Sequence, residues 1–360
     1  MRAAVISLGS KSSVMTIEAM RKYFDQVDKI QLKNIEISLG KDGKLLYEGK
    51  ELPYYDCVLV KGSFRYANLL RSIASVLKGK VPYLPIPEEC FTVAHNKLLT
   101  HLLLEQHNIP MPKTYISSTV DAAKEMLDRV SYPIVMKFPQ GTQGKGVMFA
   151  ESKSSAASML DALGALNQPF IVQEYVETGG TDIRALVVGD KVVATMKRVA
   201  KSGEKRSNTH SGGTPEPVLI SYQANQIAVK TAKALGADIC GVDILDGPLG
   251  PVVIEVNISP GLQGISSVST IDIPDAIARA FYDRTLGAVQ GHRHLEAKKV
   301  MQSLNKPLAK PGHSIISGIK LRGDRIILPE LVQKMAKLSD EKEYSFKASK
   351  GKIIIEEFNL

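Results

Sequence analysis

Residues 251–261 read Pro251-Val-Val-Ile-Glu-Val-Asn-Ile-Ser-Pro-Gly261, and the fold turns on how that stretch is read. Val252, Val253, Ile254, Val256 and Ile258 form a nearly continuous β-branched run, the pattern of a strand covered on both faces. Glu255 and Asn257 interrupt it. Strand side chains alternate, so these two share one side. A carboxylate and an amide buried there cost several kcal/mol unless something pairs with them. A second strand-like run, Gly241-Val-Asp-Ile-Leu245, carries Asp243. Two carboxylates and an amide oxygen on adjacent strands make a hard-oxygen set suited to Mg²⁺ carrying nucleotide phosphates. The alternative is a strand whose polar face meets solvent, and the cost of burying these groups weighs against it.

Outward from that strand, the length of 360 residues implies two or three domains. A hydrophobic content of 44% and a charged content of 23% are those of a soluble globular protein. No apolar run reaches the roughly 18 residues of a membrane span, and the short apolar start to Gly9 reads as a first strand rather than a secretory signal. Cys57, Cys90 and Cys240 are widely spaced, without a Cys-x-x-Cys or a local Cys/His cluster, and are expected to be reduced and buried in a cytoplasmic protein. The net charge of +9 is uneven: residues 286–360 hold 14 Lys and Arg against 8 Asp and Glu. Such a basic tail serves nucleic acid, an acidic partner, or nothing beyond a solvated surface. No nucleic-acid-binding motif accompanies the charge, so nucleic acid is not expected.

Residues 1–88 alternate strand and helix signals, which predicts a small open α/β domain. Ligands of such sheets bind at the carboxyl ends of strands, making Lys61–Arg65 a candidate to touch substrate. Pro82, Pro85 and Pro87 mark the first boundary. A single helix is predicted over Phe91–Gln106, carrying Lys97. Further on, Pro133–Phe138 and Val147–Ala150 are strands around Gly141-Thr-Gln-Gly-Lys-Gly146. Glycines between two strands, rather than opening a helix, fit neither the P-loop nor the dinucleotide fingerprint; they predict a hairpin flap whose backbone N–H groups can cover phosphates. Arg198–Gly213 is a cationic loop, and Ile273–Thr285 a closing helix. Residues 286–310 read as a linker in which His292 and His294 are surface residues, and 311–360 as a small basic strand-helix-strand module.

These motifs, in this order, resemble the ATP-grasp superfamily, and within it the RimK-type ligases that add glutamate to a carboxylate. The resemblance covers about residues 1–285 and rests on Gly141-Thr-Gln-Gly, Gln173-Glu-Tyr-Val, Asp182-Ile-Arg, Arg206-Ser-Asn-Thr-His, Gly241-Val-Asp-Ile and Glu255-Val-Asn-Ile-Ser-Pro-Gly. It implies an ATP-grasp fold over 89–285, with the flap at 133–150 and the metal strands at 241–258, behind an N-terminal α/β domain at 1–88. It places Lys97, Lys137, the flap residues Gly141, Thr142, Gln143 and Gly144, the segment Gln173, Glu174, Tyr175 and Val176, and Asp182 and Arg206 around ATP. Arg198 and Asn208 would face phosphoryl transfer, and Asp243, Glu255 and Asn257 would hold two Mg²⁺, or Mn²⁺ in their place. The implied partners are ATP, L-glutamate and an acceptor carboxylate, on a protein C-terminus or on the glutamyl tail of a pterin or deazaflavin coenzyme; no membrane is implied, and a homo-oligomer is allowed. The sequence departs from the RimK pattern at Ser211, at Lys197-Arg198 and at Gln263, which bears on acceptor and amine choice. A LysX-type ligase acting on a carrier protein or small molecule, and a nucleotide-binding regulatory module without ligase activity, are the competing readings. The intact trio Asp243, Glu255 and Asn257 speaks against the second.

Overall fold

The computed structural model describes residues 1–40, 43–139, 146–200, 214–304, 320–323, 325–349 and 352–358. The predicted sites Gly141, Thr142, Gln143, Gly144, Arg206 and Asn208, and with them Ser211, lie outside the described residues.

The chain forms two compact units, Met1–Leu295 and Glu296–Leu360. The first begins with β1 (Arg2–Ser7), α1 (Lys11–Met20), β2 (Gln26–Gln31), β3 (Ile35–Ser38), β4 (Lys44–Tyr47), β5 (Lys50–Glu51), β6 (Cys57–Val60) and α2 (Ala67–Leu77). A parallel sheet of order β2-β1-β6 is its centre, and β3-β4-β5 form a small antiparallel sheet. Strand β6 is buried at every position, which explains its unbroken apolar reading Cys-Val-Leu-Val.

Then follow α3 (Glu88–Val93), α4 (Lys97–Gln106), β7 (Thr114–Tyr115), α5 (Val120–Met126), β8 (Ile134–Lys137), β9 (Val147–Ala150), α6 (Lys153–Ala165) and β10 (Ile171–Glu174). The expected single helix over 91–106 is therefore two. Asn96 breaks it, because its side-chain oxygen accepts from the backbone N–H of Leu98 and Leu99 and starts a new helix there. Strands β7-β10-β8-β9 make an antiparallel sheet backed by α5 and α6 around its own core of Ala123, Leu127, Ile134, Met136, Leu160 and Val172. The predicted flap hairpin is present as β8 paired with β9, Lys137 facing Val147.

A larger antiparallel sheet, β13-β12-β11-β14-β15, is built from β11 (Thr181–Val188), β12 (Lys191–Val199), β13 (Thr214–Pro217), α7 (Tyr222–Leu235), β14 (Ile239–Gly247) and β15 (Gly250–Asn257) with its covering helix. Its core is continuous with that of the N-terminal α/β part. Cys90 Sγ lies 3.2 Å from the Leu235 carbonyl oxygen, Tyr83 donates to Asp238 at 2.7 Å, and Tyr23 donates to Asp275 at 3.0 Å. Two helices follow, α8 (Gln263–Ser266) and α9 (Ile273–Leu304). The linker expected over 286–310 is thus corrected over 286–304: Gly287 and Gly291 lie within α9, since glycine lowers helix propensity by only about 1 kcal/mol and does not by itself end a helix.

The second unit contains the hairpin β16 (Lys320–Arg322) with β17 (Arg325–Ile327), the helix α10 (Glu330–Ala336), and the hairpin β18 (Tyr344–Ser349) with β19 (Lys352–Glu357). Ile326, Ile327, Phe346, Ile353 and Ile354 are exposed there, although their apolar character predicts burial. Among the described residues no helix is long and apolar enough to cross a membrane.

Candidate active site

The register of the five-stranded sheet collects the site. Residues directly opposite in an antiparallel pair project from the same face. Asp243 of β14 pairs with Glu255 of β15 and with Arg184 of β11, Gly241 pairs with Asn257, and Asp182 of β11 pairs with Arg198 of β12. Asp182, Arg184, Arg198, Asp243, Glu255 and Asn257 therefore occupy one face, as the alternation of Glu255 and Asn257 predicted. A register shift between Asp243 and Ile244 leaves Ile254 as an extra residue in β15, so that Val253 opposes Ile244 and points away from this face.

Four of these groups form a chain of alternating charge. Arg198 donates from Nε and Nη2 to the two oxygens of Asp182, both at 2.6 Å, and its Nη2 also lies 2.8 Å from Asp243 Oδ2. Arg184 makes a second fork to Asp243, at 2.7 Å through each oxygen. The side chains of Asp182, Arg198 and Asp243 are at most 7% exposed. Burial alone would raise the Asp243 pKa, but the charges and hydrogen bonds of Arg184 and Arg198 more than offset it and hold the carboxylate ionised far into acid. Burial likewise opposes the charge on Arg198, and Asp243 and Asp182 reverse that and raise its pKa. Paired forks of this kind fix the rotamers of both partners. Sequence reasoning passed over Arg184; its spacing of two from Asp182 on one strand was the available signal.

Glu255 stands apart from this chain. Among the described residues no hydrogen bond or ion pair to its carboxylate is found, and it acts on Lys137 only through space. Asn257 Oδ1 accepts from the Ser259 backbone N–H at 2.9 Å, which aims the amide and leaves the oxygen a second lone pair. An unclaimed carboxylate, an aimed amide oxygen and the immobilised Asp243 fit a hard divalent cation. Among the described residues no cluster of three His, Cys, Asp or Glu suggests a metal site of another kind.

The four-stranded sheet supplies the cations. Lys137, at the end of β8, has its amine pushed down to about 8 by burial and by neighbouring Lys97, against the pull of Glu255. Its Nζ donates to Gln173 Oε1 at 2.5 Å. Gln173 was expected to border the nucleotide. Instead it is 1% exposed, and its amide nitrogen donates to Thr114 Oγ1 at 2.8 Å and meets His101 Nε2 at 2.6 Å. His101 Nδ1 lies 2.6 Å from the Lys97 carbonyl, which can only accept, so the proton sits on Nδ1 and Nε2 is the acceptor. Burial holds this imidazole neutral by pushing its pKa down to about 4. A continuous buried chain thus runs from the Lys97 backbone through His101 and Gln173 to the Lys137 amine. His101 and Thr114 were not foreseen, because nothing local in the sequence links them to residue 173.

Glu174 faces the other way from Gln173: Tyr115 donates to it at 2.8 Å and the Lys113 amine lies 3.5 Å off. The chain leaves β10 at Tyr175, whose ring meets the edge of Phe149 of the flap hairpin at 6.0 Å. Val176 packs so closely on Gly247 that a Cβ there would come within 2.7 Å of it. The site therefore has an apolar, aromatic segment at the Ile134 end of β8 and Lys137 at its other end, near enough to the acid and arginine face for the Glu255 charge to act on that lysine. That combination can hold a purine, its phosphates and a divalent ion.

Comparison with known proteins agrees with this fold. Residues 94–281 match the RimK-like ATP-grasp domain. The chain is 42% identical over 236 residues to a protein of Thioalkalivibrio sulfidiphilus named "probable alpha-L-glutamate ligase", covering 64% of this chain and 77% of that one. A protein of the same name from Xanthomonas euvesicatoria is 35% identical over 284 residues, covering 78% and 96%. Among solved structures, the RimK-domain ATP-grasp protein of Sphaerobacter thermophilus superposes with a TM-score of 0.60 at 17% identity, covering 78% of this chain and 99% of that one. The ATP-grasp ligase PsnB, bound to a precursor variant, Mg and ADP, does so at 0.61 and 19%, covering 79% and 98%.

Proposed function

The chain belongs to the RimK-like ATP-grasp ligases, and from that premise we propose that it joins L-glutamate to an acceptor carboxylate at the expense of ATP. The observation that carries this reading is the shared face of Asp182, Arg184, Arg198, Asp243, Glu255 and Asn257, with Lys137 held by Gln173 on the neighbouring sheet. The acceptor carboxylate attacks the γ-phosphorus, the bond to ADP breaks, and an acyl phosphate forms. The amine of glutamate then adds to the acyl carbon, phosphate leaves, and an amide remains. Protein groups in phosphoryl transfer mainly position the partners and neutralise charge. Lys97 and Lys137 oppose the phosphate charge. Arg198, clamped through Nε and Nη2, is the fixed cation that meets the oxygens of the transferred group. Asp243, Glu255 and Asn257 would hold Mg²⁺, which when bound neutralises phosphate oxygens. By the family resemblance, Gly141–Gly144 are assigned to shielding the acyl phosphate from water, Arg206 to meeting phosphate charge and Asn208 to a neutral hydrogen bond there.

The acceptor is a protein C-terminus or a coenzyme's glutamyl tail. Incubating purified protein with ATP, Mg²⁺, labelled glutamate and cell extract, followed by mass spectrometry, tests the reading. Label appearing in one acceptor with matching ADP release is expected. ADP release that depends on lysine or a neutral amino acid, and not on glutamate, overturns the glutamate assignment.

A further inference from the structure

Lys61 follows β6 directly and is 7% exposed. Its backbone N–H bonds Ile6 O, extending the parallel pairing by one residue. Its side chain has no hydrogen-bonding or ionic partner among the described residues, and no acid acts on it; burial alone pushes its amine down to about 8. A buried ammonium without a counter-charge is rare, because water must be stripped from it for no return. Arg65 and Arg71 nearby are exposed and raise no such question.

Strand alternation says which way Lys61 projects. Gly62 belongs to the face of α2, since a Cβ on it would lie 3.1 Å from Leu70. Cys57, Leu59 and Lys61 belong to the other face, where the Cys57 thiol meets Thr285 of α9. At the Lys61 end of that face sits the turn that leaves the metal strand. Gly62 N–H donates to Ser259 Oγ at 3.1 Å, and Ser259 is bonded to Asn257. Ser12 of α1 donates to Gln263 Oε1 at 2.9 Å and accepts from Leu262 N–H at 2.8 Å, closing the same turn on its other side. The lysine therefore lies at the carboxyl edge of the parallel sheet, one residue from a clamp onto the strand that carries Glu255 and Asn257.

We propose that Lys61 receives a substrate carboxylate beside the end of the metal strand, supplied by the incoming amino acid or by the acceptor. The inference rests on the ligase reading above, in which both organic substrates bring a carboxylate to this strand. Such an anion completes the charge that the fold leaves uncompensated, and the parallel sheet presents its strand ends to ligands in the usual way. A carboxylate caught here is fixed relative to Asn257 through the Gly62–Ser259 bond, so the N-terminal part of the chain sets substrate position as well as stability.

The test uses the full chain with Lys61→Met and Lys61→Arg. Calorimetric titrations with L-glutamate and with tetraglutamate, each in the presence of Mg²⁺ and a non-hydrolysable ATP analogue, separate the two sources. Lys61→Met is expected to weaken one of the two probes by on the order of 30-fold, the loss typical of removing one partner of a buried charge pair. Affinity for the ATP analogue stays within about twofold of wild type, and Lys61→Arg recovers most of the lost affinity. Because the lysine is unpaired in the free protein, Lys61→Met also melts no lower than wild type. A lowered melting point, or wild-type affinity for both probes, overturns the proposal. If the wild type turns over a different amine, the glutamate reading falls instead, and the Lys61 inference is decided by the same comparison on that amine's carboxylate and on tetraglutamate.

Discussion

Gln173→Leu removes the centre of the buried chain that ties Lys137 to His101 and Thr114. Three hydrogen bonds disappear, at 2.5, 2.6 and 2.8 Å. A bond to a charged donor is worth about 1.5–3 kcal/mol and each of the two neutral ones about 1, so the loss is about 3.5–5 kcal/mol. Thr114 keeps its bond to Pro112 O at 2.7 Å, which favours the lower half of that range. Urea unfolding followed by far-UV circular dichroism reads the stability change. Released from its acceptor, Lys137 samples other rotamers, and the KM for ATP rises about tenfold or more while the face of Asp243, Glu255 and Asn257 is untouched. Gln173→Glu separates orientation from bulk. It keeps an acceptor for Lys137 but offers no donor to His101 Nε2, so the imidazole pKa rises from about 4, visible by NMR titration. A loss below about 1 kcal/mol in Gln173→Leu, an unchanged KM for ATP and an unshifted His101 in Gln173→Glu would together refute the positioning role.

Glu255→Gln is expected to abolish ADP release with the circular dichroism spectrum unchanged; full turnover by a folded variant would remove Glu255 from the metal site. The pH profile follows from Lys137, whose amine falls from its ordinary 10.5 to about 8. Its depressed value means the charged form is the destabilised one in the fold, so stability rises between pH 8 and 10.5, while kcat/KM for ATP falls above about pH 8 as the phosphate-facing charge is lost. A profile flat through pH 9, or a basic limb that survives in Lys137→Met, contradicts this. A chain ending at Leu304 is expected to bind ATP as tightly as the full chain and to show a raised KM for a large acidic acceptor, because remote contacts supply uniform binding. Loss of ATP binding in the truncated protein would show instead that the second unit is needed for the first to fold.

The elements that sequence alone revealed are those whose pattern is local and repeated. The β-branched runs of β14 and β15, the flap hairpin and the basic tail's strand-helix-strand order all announce themselves by period and composition. What stayed hidden depends on single side chains or on distant partners. Asn96 divides a helix by one cap, and no periodicity registers it. Gly287 and Gly291 read as linker although α9 runs through both. In the site, alternation was enough to put Glu255 with Asn257, and it also turns Gln173 inward while Glu174 turns outward. The chemistry of that inward residue is set by His101 and Thr114, 72 and 59 positions away, and is invisible until the sheet is assembled. Lys61 was legible as a strand-end cation, but its isolation is a property of the packed molecule.

The extra residue at Ile254 has a practical consequence for anyone rebuilding this protein. On the hairpin side of it, Ile244 opposes Val253, and the strands run to a two-residue tip at Pro248 and Leu249, where Leu249 is fully exposed. On the other side, Asp243 opposes Glu255. Chain added at the tip is taken up before it reaches the irregularity, which makes the tip a tolerant graft point for a tag or reporter. Deleting the single residue Ile254 removes only that irregularity: Val253 and Glu255 become successive residues and keep their opposite faces, Val253 against Ile244 and Glu255 against Asp243. Deleting Val256 has no such outlet, because Glu255 and Asn257 then become successive and one of them must leave the site face, so two single-codon losses two positions apart have opposite outcomes.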